Sequence, residues 1–271
     1  MSATAAPHPP RRWEPGAAIK VSAAIHAACL ACVLVRPGTW PWMLLAIVLN
    51  HVAIGLIGMW PKSRWLGPNL LRLPEPARRR REIALTFDDG PDSEITPKVL
   101  DLLDRHQAKA SFFCVGEKAA AHPEVVREIV RRGHSVENHS MLHSGFFGFL
   151  GFGGLRAELQ RAQDAIASAA GRPPAFFRSP MGIRNPFLDP VIARLGLTYV
   201  TWTRRGFDTV ARRPQAVLQR LQRGLAAGDI LLLHDRRTGS AAPPVLEVLP
   251  LLLEKIQAAG LKPVSLPMAM R

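Results

Sequence analysis

Two acidic side chains stand together in Thr86-Phe87-Asp88-Asp89-Gly90-Pro91, and two histidines stand four apart in Asn138-His139-Ser140-Met141-Leu142-His143. One carboxylate with two imidazoles supplies three ligands to a divalent ion and leaves a position open, the pattern of a catalytic rather than a structural site. Histidines at i and i+4 share a face when the segment is helical, so both rings can reach one ion while a carboxylate from a neighbouring strand end completes the set. The second carboxylate is then available to accept a proton from water, because the ion favours the ionised form of both acids. His234, in Leu232-Leu233-His234-Asp235, could hand a proton to a leaving amine. Taken singly, each group has an ordinary explanation: Asp-Asp-Gly-Pro is common chain punctuation, and paired histidines can simply share a helix face.

The elements around these residues make the ordinary explanations harder to hold together. From Glu82 onward, short apolar runs alternate with amphipathic stretches, and seven strands are predicted: Ile83 to Phe87, Ala110 to Cys114, His134 to Glu137, Ala175 to Phe177, Thr198 to Trp202, Asp229 to Leu233 and Pro263 to Ser265. Helical spacing covers Leu155 to Ala170, Pro214 to Ala226 and Val245 to Ala259, Thr96-Pro97 reads as a helix start, and Gly133 and Gly171 read as helix stops. Alternating strands and helices imply an α/β fold with a mostly parallel sheet, either doubly wound or an incomplete barrel. In both, chemistry gathers at the C-terminal ends of the strands. Asp88 and Asp89, then His139 and His143, then Arg178, Asp208 and His234 all fall at or just beyond such ends.

These motifs resemble the polysaccharide deacetylase family, the fourth carbohydrate esterase family, also called the nodulation-deacetylase homology domain. The resemblance covers about 82–271 and rests on Thr86 to Pro91, His139 to His143, Arg178-Ser179-Pro180-Met181-Gly182 and Leu232-Leu233-His234. It implies an incomplete barrel of seven strand and helix units and a metal-dependent hydrolase that removes an N-acetyl group from an amino sugar. By matched position, Asp88 would be the general base, Asp89 with His139 and His143 would hold the metal, usually zinc, and Arg178 would orient Asp88. His234 would be the general acid, oriented by Asp208. Pro180, Met181, Gly182, Leu232 and Trp202 would contact substrate, with Leu232 facing the acetyl methyl and the Met181 amide stabilising the oxyanion. Relatives carry two aspartates followed by tryptophan where Trp202-Thr203-Arg204-Arg205-Gly206-Phe207-Asp208-Thr209 keeps only the second aspartate, so a pocket shaped like that of polymer-acting members is not implied. His106, His122 and His134 lie outside the motifs and are expected at the surface or in packing.

The remaining sequence concerns placement. The chain of 271 residues has a formal net charge of +14, and eleven Lys/Arg against two acidic residues precede Glu82. That excess flanks two apolar runs, Ala17 to Val35 and Trp40 to Trp60, each about the length of a bilayer span and joined by Arg36-Pro37-Gly38-Thr39. Trp40, Trp42 and Trp60 bracket the second run as an interfacial belt would, while Asn50 and His51 in its middle and Lys20 and His26 in the first run count against spans. A cleaved signal peptide is the alternative for the first run. Cys29 and Cys32 have redox spacing but sit in the apolar run, where small core residues are the better reading. Nucleic acid is not an expected partner, since no recognition pattern accompanies the Arg78 to Arg81 run.

The organisation expected is therefore a tail over 1–16, a transmembrane helical hairpin within 17–61, a basic linker over 62–81 and the catalytic domain over 82–271. Because basic flanks stay inside, both ends of the hairpin are expected on the cytoplasmic side of the inner membrane. A polyprenyl-phosphate-linked amino sugar then fits better than external polymer, with the linker contacting membrane lipids or the lipid phosphate. This is similar to membrane deacetylases and deformylases that act before a sugar decorates lipopolysaccharide or lipid A. The alternatives are a periplasmic deacetylase of peptidoglycan or exported polysaccharide, and a non-catalytic sugar-binding membrane protein. The Phe- and Gly-rich segment 144–154 either dips toward lipid or packs under the following helix.

Overall fold

The computed structural model describes residues 10–210, 213–237 and 243–271. Its elements are α1 (Ala17–Val35), α2 (Trp40–Met59), α3 (Glu75–Arg79), β1 (Glu82–Asp88), α4 (Ile95–Arg105), β2 (Ser111–Cys114), α5 (Gly116–Ala121), α6 (Pro123–Arg131) and β3 (Ser135–Asn138). There follow α7 (Phe152–Ala170), β4 (Phe176–Phe177), α8 (Leu188–Arg194), β5 (Thr198–Tyr199), β6 (Arg204–Arg205), α9 (Pro214–Gln222), β7 (Ile230–His234), α10 (Val245–Ala258), β8 (Lys262–Val264) and α11 (Leu266–Ala269). The strands form one parallel sheet in the order β5-β4-β3-β2-β1-β7-β6, with β8 also paired to β1. No pairing joins β5 to β6 among the described residues, so the sheet curls into an incomplete barrel.

The period of two along each strand decides what faces the barrel centre. On β1, Ile83, Leu85 and Phe87 pack outward under α4, α9 and α10, which leaves Ala84, Thr86 and Asp88 inward. On β7, Leu231 and Leu233 face the helices, so Ile230, Leu232 and His234 face in. Burying each such leucine or phenylalanine contributes about 1.5–3 kcal/mol, so the register that sends Asp88 and His234 inward is tightly held.

Several expectations are corrected. An eighth strand, β6, was not foreseen because Arg204-Arg205 carries no apolar signal; it is drawn into the sheet by pairing with Leu231 and Leu232. Helix α4 begins before Thr96, with Asp92 Oδ1 accepting the amides of Glu94 and Ile95. Residues 62–81, the basic linker, pack against the barrel. Leu66, Leu73 and Ala77 are buried, Leu70 bridges Val200 beside β5, Leu73 bonds Gly228, and Arg72 pairs with Asp229. This segment thus runs along the open side of the barrel between β5 and β7.

Helices α1 and α2 are long and apolar enough to cross a membrane and are mostly exposed. Three of the polar residues that count against spans, Asn50, His26 and His51, make contacts across the hairpin: Asn50 Nδ2 donates to Ser22 Oγ at 2.8 Å, and the His26 and His51 rings stack edge to face at 5.3 Å. The end of α2 abuts the barrel, where Gly58 accepts the amide of Arg184 at 2.9 Å and any Cβ at Gly58 would collide with the Arg184 carbonyl.

Candidate active site

Asp88 and Asp89 end β1, where the inward register puts Asp88 over the barrel mouth and a left-handed turn at Asp89 (φ 73°) swings the second carboxylate toward β3. The histidine pair is not helical. Ser140 and His143 take positive φ in a loop after β3, held by Asn138 Oδ1 accepting the Ser140 amide, Ser140 Oγ accepting the His143 amide, and Glu158 Oε2 accepting those of Met141 and Leu142. That polar scaffold, rather than a helical repeat, brings the rings together with centroids 4.9 Å apart.

His139 Nε2 and His143 Nε2 lie 3.3 and 3.1 Å from Asp89 Oδ1, and the three donor atoms fall within 4.8 Å of one another. His139 Nδ1 donates to the Arg178 carbonyl at 2.8 Å. A carbonyl can only accept, so this bond fixes the tautomer and leaves Nε2 with a lone pair for a cation. The residues therefore fit a divalent ion. Burial opposes ionisation of Asp89, but the two imidazoles beside it and the charge of His234 outweigh it and hold the carboxyl below the usual carboxylate range.

Behind this trio, Arg178 is wholly buried and fully engaged. Its Nη1 donates to Asp88 Oδ1 at 2.6 Å and to Thr86 Oγ1 at 2.9 Å, and Nη2 donates to the Thr201 carbonyl at 3.0 Å. Asp88 Oδ2 is left facing the histidines, 3.8 Å from His139 Nε2. On the opposite wall, His234 Nδ1 donates to Asp208 Oδ1 at 2.8 Å, which presents Nε2 as the free ring nitrogen. Burial would lower the His234 pKa, but the Asp208 bond and charge, with the charges of Asp88 and Asp89, raise it above the ordinary histidine value.

A cavity of about 140 Å³ joins these groups, and Met181, Gly182, Trp202 and Leu232 complete its wall. Pro180 begins the turn and is itself buried, so the wall there is formed by its two successors. Met181 sits at φ 57° and its amide donates to no acceptor among the described residues. Gly182 is required by its own φ of 75° and by the close approach of Trp202 and Pro61, which a Cβ would meet at 2.7 and 2.9 Å. Sequence reasoning missed Arg205, Thr209 and Arg236, which also line the cavity. Arg205 was hidden by the unforeseen strand β6; Arg236 stands only two residues beyond His234, a signal that was available.

A family model described as Polysaccharide deacetylase matches residues 75–200. The chitooligosaccharide deacetylase of Bradyrhizobium sp. (strain ANU 289) is 35% identical over 156 residues, spanning 57% of this chain and 71% of that protein. The chain belongs to the polysaccharide deacetylase family. A family 4 carbohydrate esterase from Streptomyces lividans, solved in complex with acetate, superposes with a TM-score of 0.62 at 34% identity and covers 67% of this chain and 91% of its own. The peptidoglycan-N-acetylglucosamine deacetylase PgdA of Listeria monocytogenes serotype 1/2a (strain 10403S) is 33% identical over 177 residues, 65% of this chain, which spans 37% of that longer protein. The residues matched by the family model include Asp89, His139 and His143.

Proposed function

We propose that this protein is a metal-dependent N-deacetylase of an amino sugar, acting on a polyprenyl-phosphate-linked sugar at the cytoplasmic face of a membrane. The observation that carries the chemistry is the convergence of Asp89, His139 and His143 on one point between the Arg178-held Asp88 and the Asp208-held His234. A divalent ion bound there, zinc being the expected one, supplies Lewis acidity toward the acetamide carbonyl. Asp88 Oδ2 accepts a proton from the attacking water as its oxygen bonds to the carbonyl carbon. The Met181 amide donates to the oxygen that gains charge. His234 Nε2 then delivers a proton to the nitrogen as the carbon–nitrogen bond breaks, giving acetate and a free amine.

The lipid part of the reading is supported by where α2 ends. Pro61 packs against Gly182, so the apolar helix leads directly to the turn that lines the cavity. Beside it, an apolar groove of about 270 Å³ runs between Ile54, Gly55 and Met59 of α2 and Phe149, Ile183 and Pro186 of the barrel. The cytoplasmic side is supported by seven basic residues after the second span against four before it. A second reading, action on cell-wall polymer outside the membrane, is favoured by the names of the peptidoglycan-N-acetylglucosamine deacetylases among the relatives. Reporter fusions after Arg271 separate the two: cytoplasmic activity supports the lipid-linked substrate, and periplasmic activity overturns it in favour of polymer.

A further inference from the structure

The cavity mouth carries two arginines for which the deacetylation chemistry has no use. Arg205, on β6 opposite Leu232, has its guanidinium 5.3 Å from the Trp202 ring and 4.9 Å from the Phe207 ring. Its Nε is buried without a hydrogen-bond partner, and among the described residues no carboxylate lies within salt-bridge distance of it. Arg236 approaches the same mouth, with Nε 3.0 Å from Asp89 Oδ2 in an ion pair whose direction leaves that N–H without an acceptor. Both side chains line the cavity.

A guanidinium held between two aromatic rings is already oriented, so little rotamer freedom is lost when an anion arrives, and its planar fork suits the oxygens of a phosphate. Arg236 adds a second guanidinium at the same mouth, and next to a site that will also hold a divalent cation the two make the entrance cationic. Neutral oligosaccharide gives the Arg205 charge no partner and leaves Arg236 with Asp89 alone. A 2-acetamido sugar phosphorylated at its anomeric carbon does, because the phosphate is then on the carbon adjacent to the one bearing the reacting acetamide.

We infer that Arg205 and Arg236 form an anion clamp that selects glycosyl phosphates over neutral amino sugars. This rests on the deacetylase reading and names the feature of the substrate that the site reads. Either a lipid-linked or a nucleotide-linked sugar phosphate carries that chemistry.

The test uses the full zinc-loaded chain. Acetate release is measured with N-acetylglucosamine 1-phosphate, UDP-N-acetylglucosamine, a polyprenyl-phosphate-linked N-acetylglucosamine and methyl N-acetylglucosaminide. Binding of the same four compounds is measured by calorimetry in Asp88→Asn, alone and combined with Arg205→Gln, Arg205→Lys or Arg236→Gln. The clamp predicts that phosphorylated compounds bind more tightly than the methyl glycoside, and that each Gln substitution erodes the preference by roughly 10- to 100-fold, with Arg205→Lys between. Preference for the polyprenyl over the UDP compound assigns the phosphate to a lipid carrier, and the reverse assigns it to a nucleotide; both uphold the clamp. No preference in the parent, or equal weakening of charged and neutral compounds in folded variants, overturns it. Absence of acetate release from every compound sinks the deacetylase reading instead, while the binding preference still reports on the clamp.

Discussion

Asp208 holds His234 at two points, accepting from ring Nδ1 through Oδ1 and from the backbone amide through Oδ2, each at 2.8 Å. The grip fixes the ring and raises its pKa, so His234 keeps its proton to higher pH than an ordinary histidine. An acid that must be protonated loses activity as pH rises through its pKa. Asp208→Asn should therefore lower kcat/KM by roughly 10²- to 10⁴-fold and move the alkaline limb of its pH profile to lower pH. An unmoved limb, measured by steady-state kinetics, contradicts the assignment of His234 as the acid.

Arg178 and Asp88 form a pair in which both partners are buried. Removing one leaves the other as an uncompensated buried charge, costing about 3–5 kcal/mol. Arg178→Met should thus lower the melting temperature and abolish turnover together. Arg178→Lys keeps the charge but gathers its three donors on one nitrogen, and is expected to recover much of the stability but to retain a kcat deficit near 10²-fold, because it lacks the planar fork that reaches Asp88 and Thr86 through one nitrogen and the Thr201 carbonyl through the other. Full recovery of kcat by lysine would show that the guanidinium does not position Asp88.

Asp235, next to His234, lies completely buried. Burial pushes its carboxyl up to about 7 against the hydrogen bond from Thr96 and the charge of Lys118, with the charge of Asp89 adding to the rise. Its unfolded value is near 3.8, so between these pH values the unfolded chain binds fewer protons and stability falls as pH rises. Asp235→Asn removes that dependence. The variant should gain on the wild type by on the order of 3 kcal/mol between pH 4 and pH 8, read from thermal unfolding at each pH; parallel curves would refute the buried neutral acid.

The loop after His143 divides its phenylalanines. Phe147 is 1% exposed and packs with Leu155, Leu159 and Phe177, whereas Phe146 and Phe149 are 75% and 87% exposed. Packing under the following helix therefore holds for Phe147, while Phe146 and Phe149 are left at the surface. Replacing Phe146 and Phe149 with serine should leave hydrolysis of a water-soluble acetamido sugar within about twofold, since surface substitutions change stability little, and weaken action on a lipid-linked one. Phe147→Ser should instead cost about 3–5 kcal/mol of stability. Equal loss on both substrates in the double serine variant contradicts a role for the exposed rings at lipid.

The pairing of Asp88 and Asp89, the histidine spacing and the Leu232 to His234 run were legible because strand period and motif order fix which side chains reach the barrel mouth. What escaped was set by contacts that leave no periodic trace. Strand β6 exists because Arg204 and Arg205 are pulled alongside β7, and the histidines meet through the Asn138, Ser140 and Glu158 hydrogen bonds rather than a helical turn. Likewise the 62–81 segment read as a linker by charge, yet Leu66, Leu73 and Ala77 tie it to the barrel. Arg72 and Arg78 reach the carboxylates of Asp229 and Glu75, Arg81 reaches the Ala259 and Gly260 carbonyls, and the sparse apolar residues do the packing.

The central claim is that this site hydrolyses an N-acetyl group with Asp88 as base and Asp89, His139 and His143 as ligands. Zinc content and acetate release from N-acetylglucosamine 1-phosphate, measured side by side on the wild type and Asp88→Asn, test it most directly. The account predicts one tightly held zinc in both proteins, and acetate release that falls by at least about 10²-fold in the variant. Zinc retained with undiminished release would contradict the role of Asp88, and a wild type that binds zinc but releases no acetate from any N-acetylated sugar would contradict the enzyme itself.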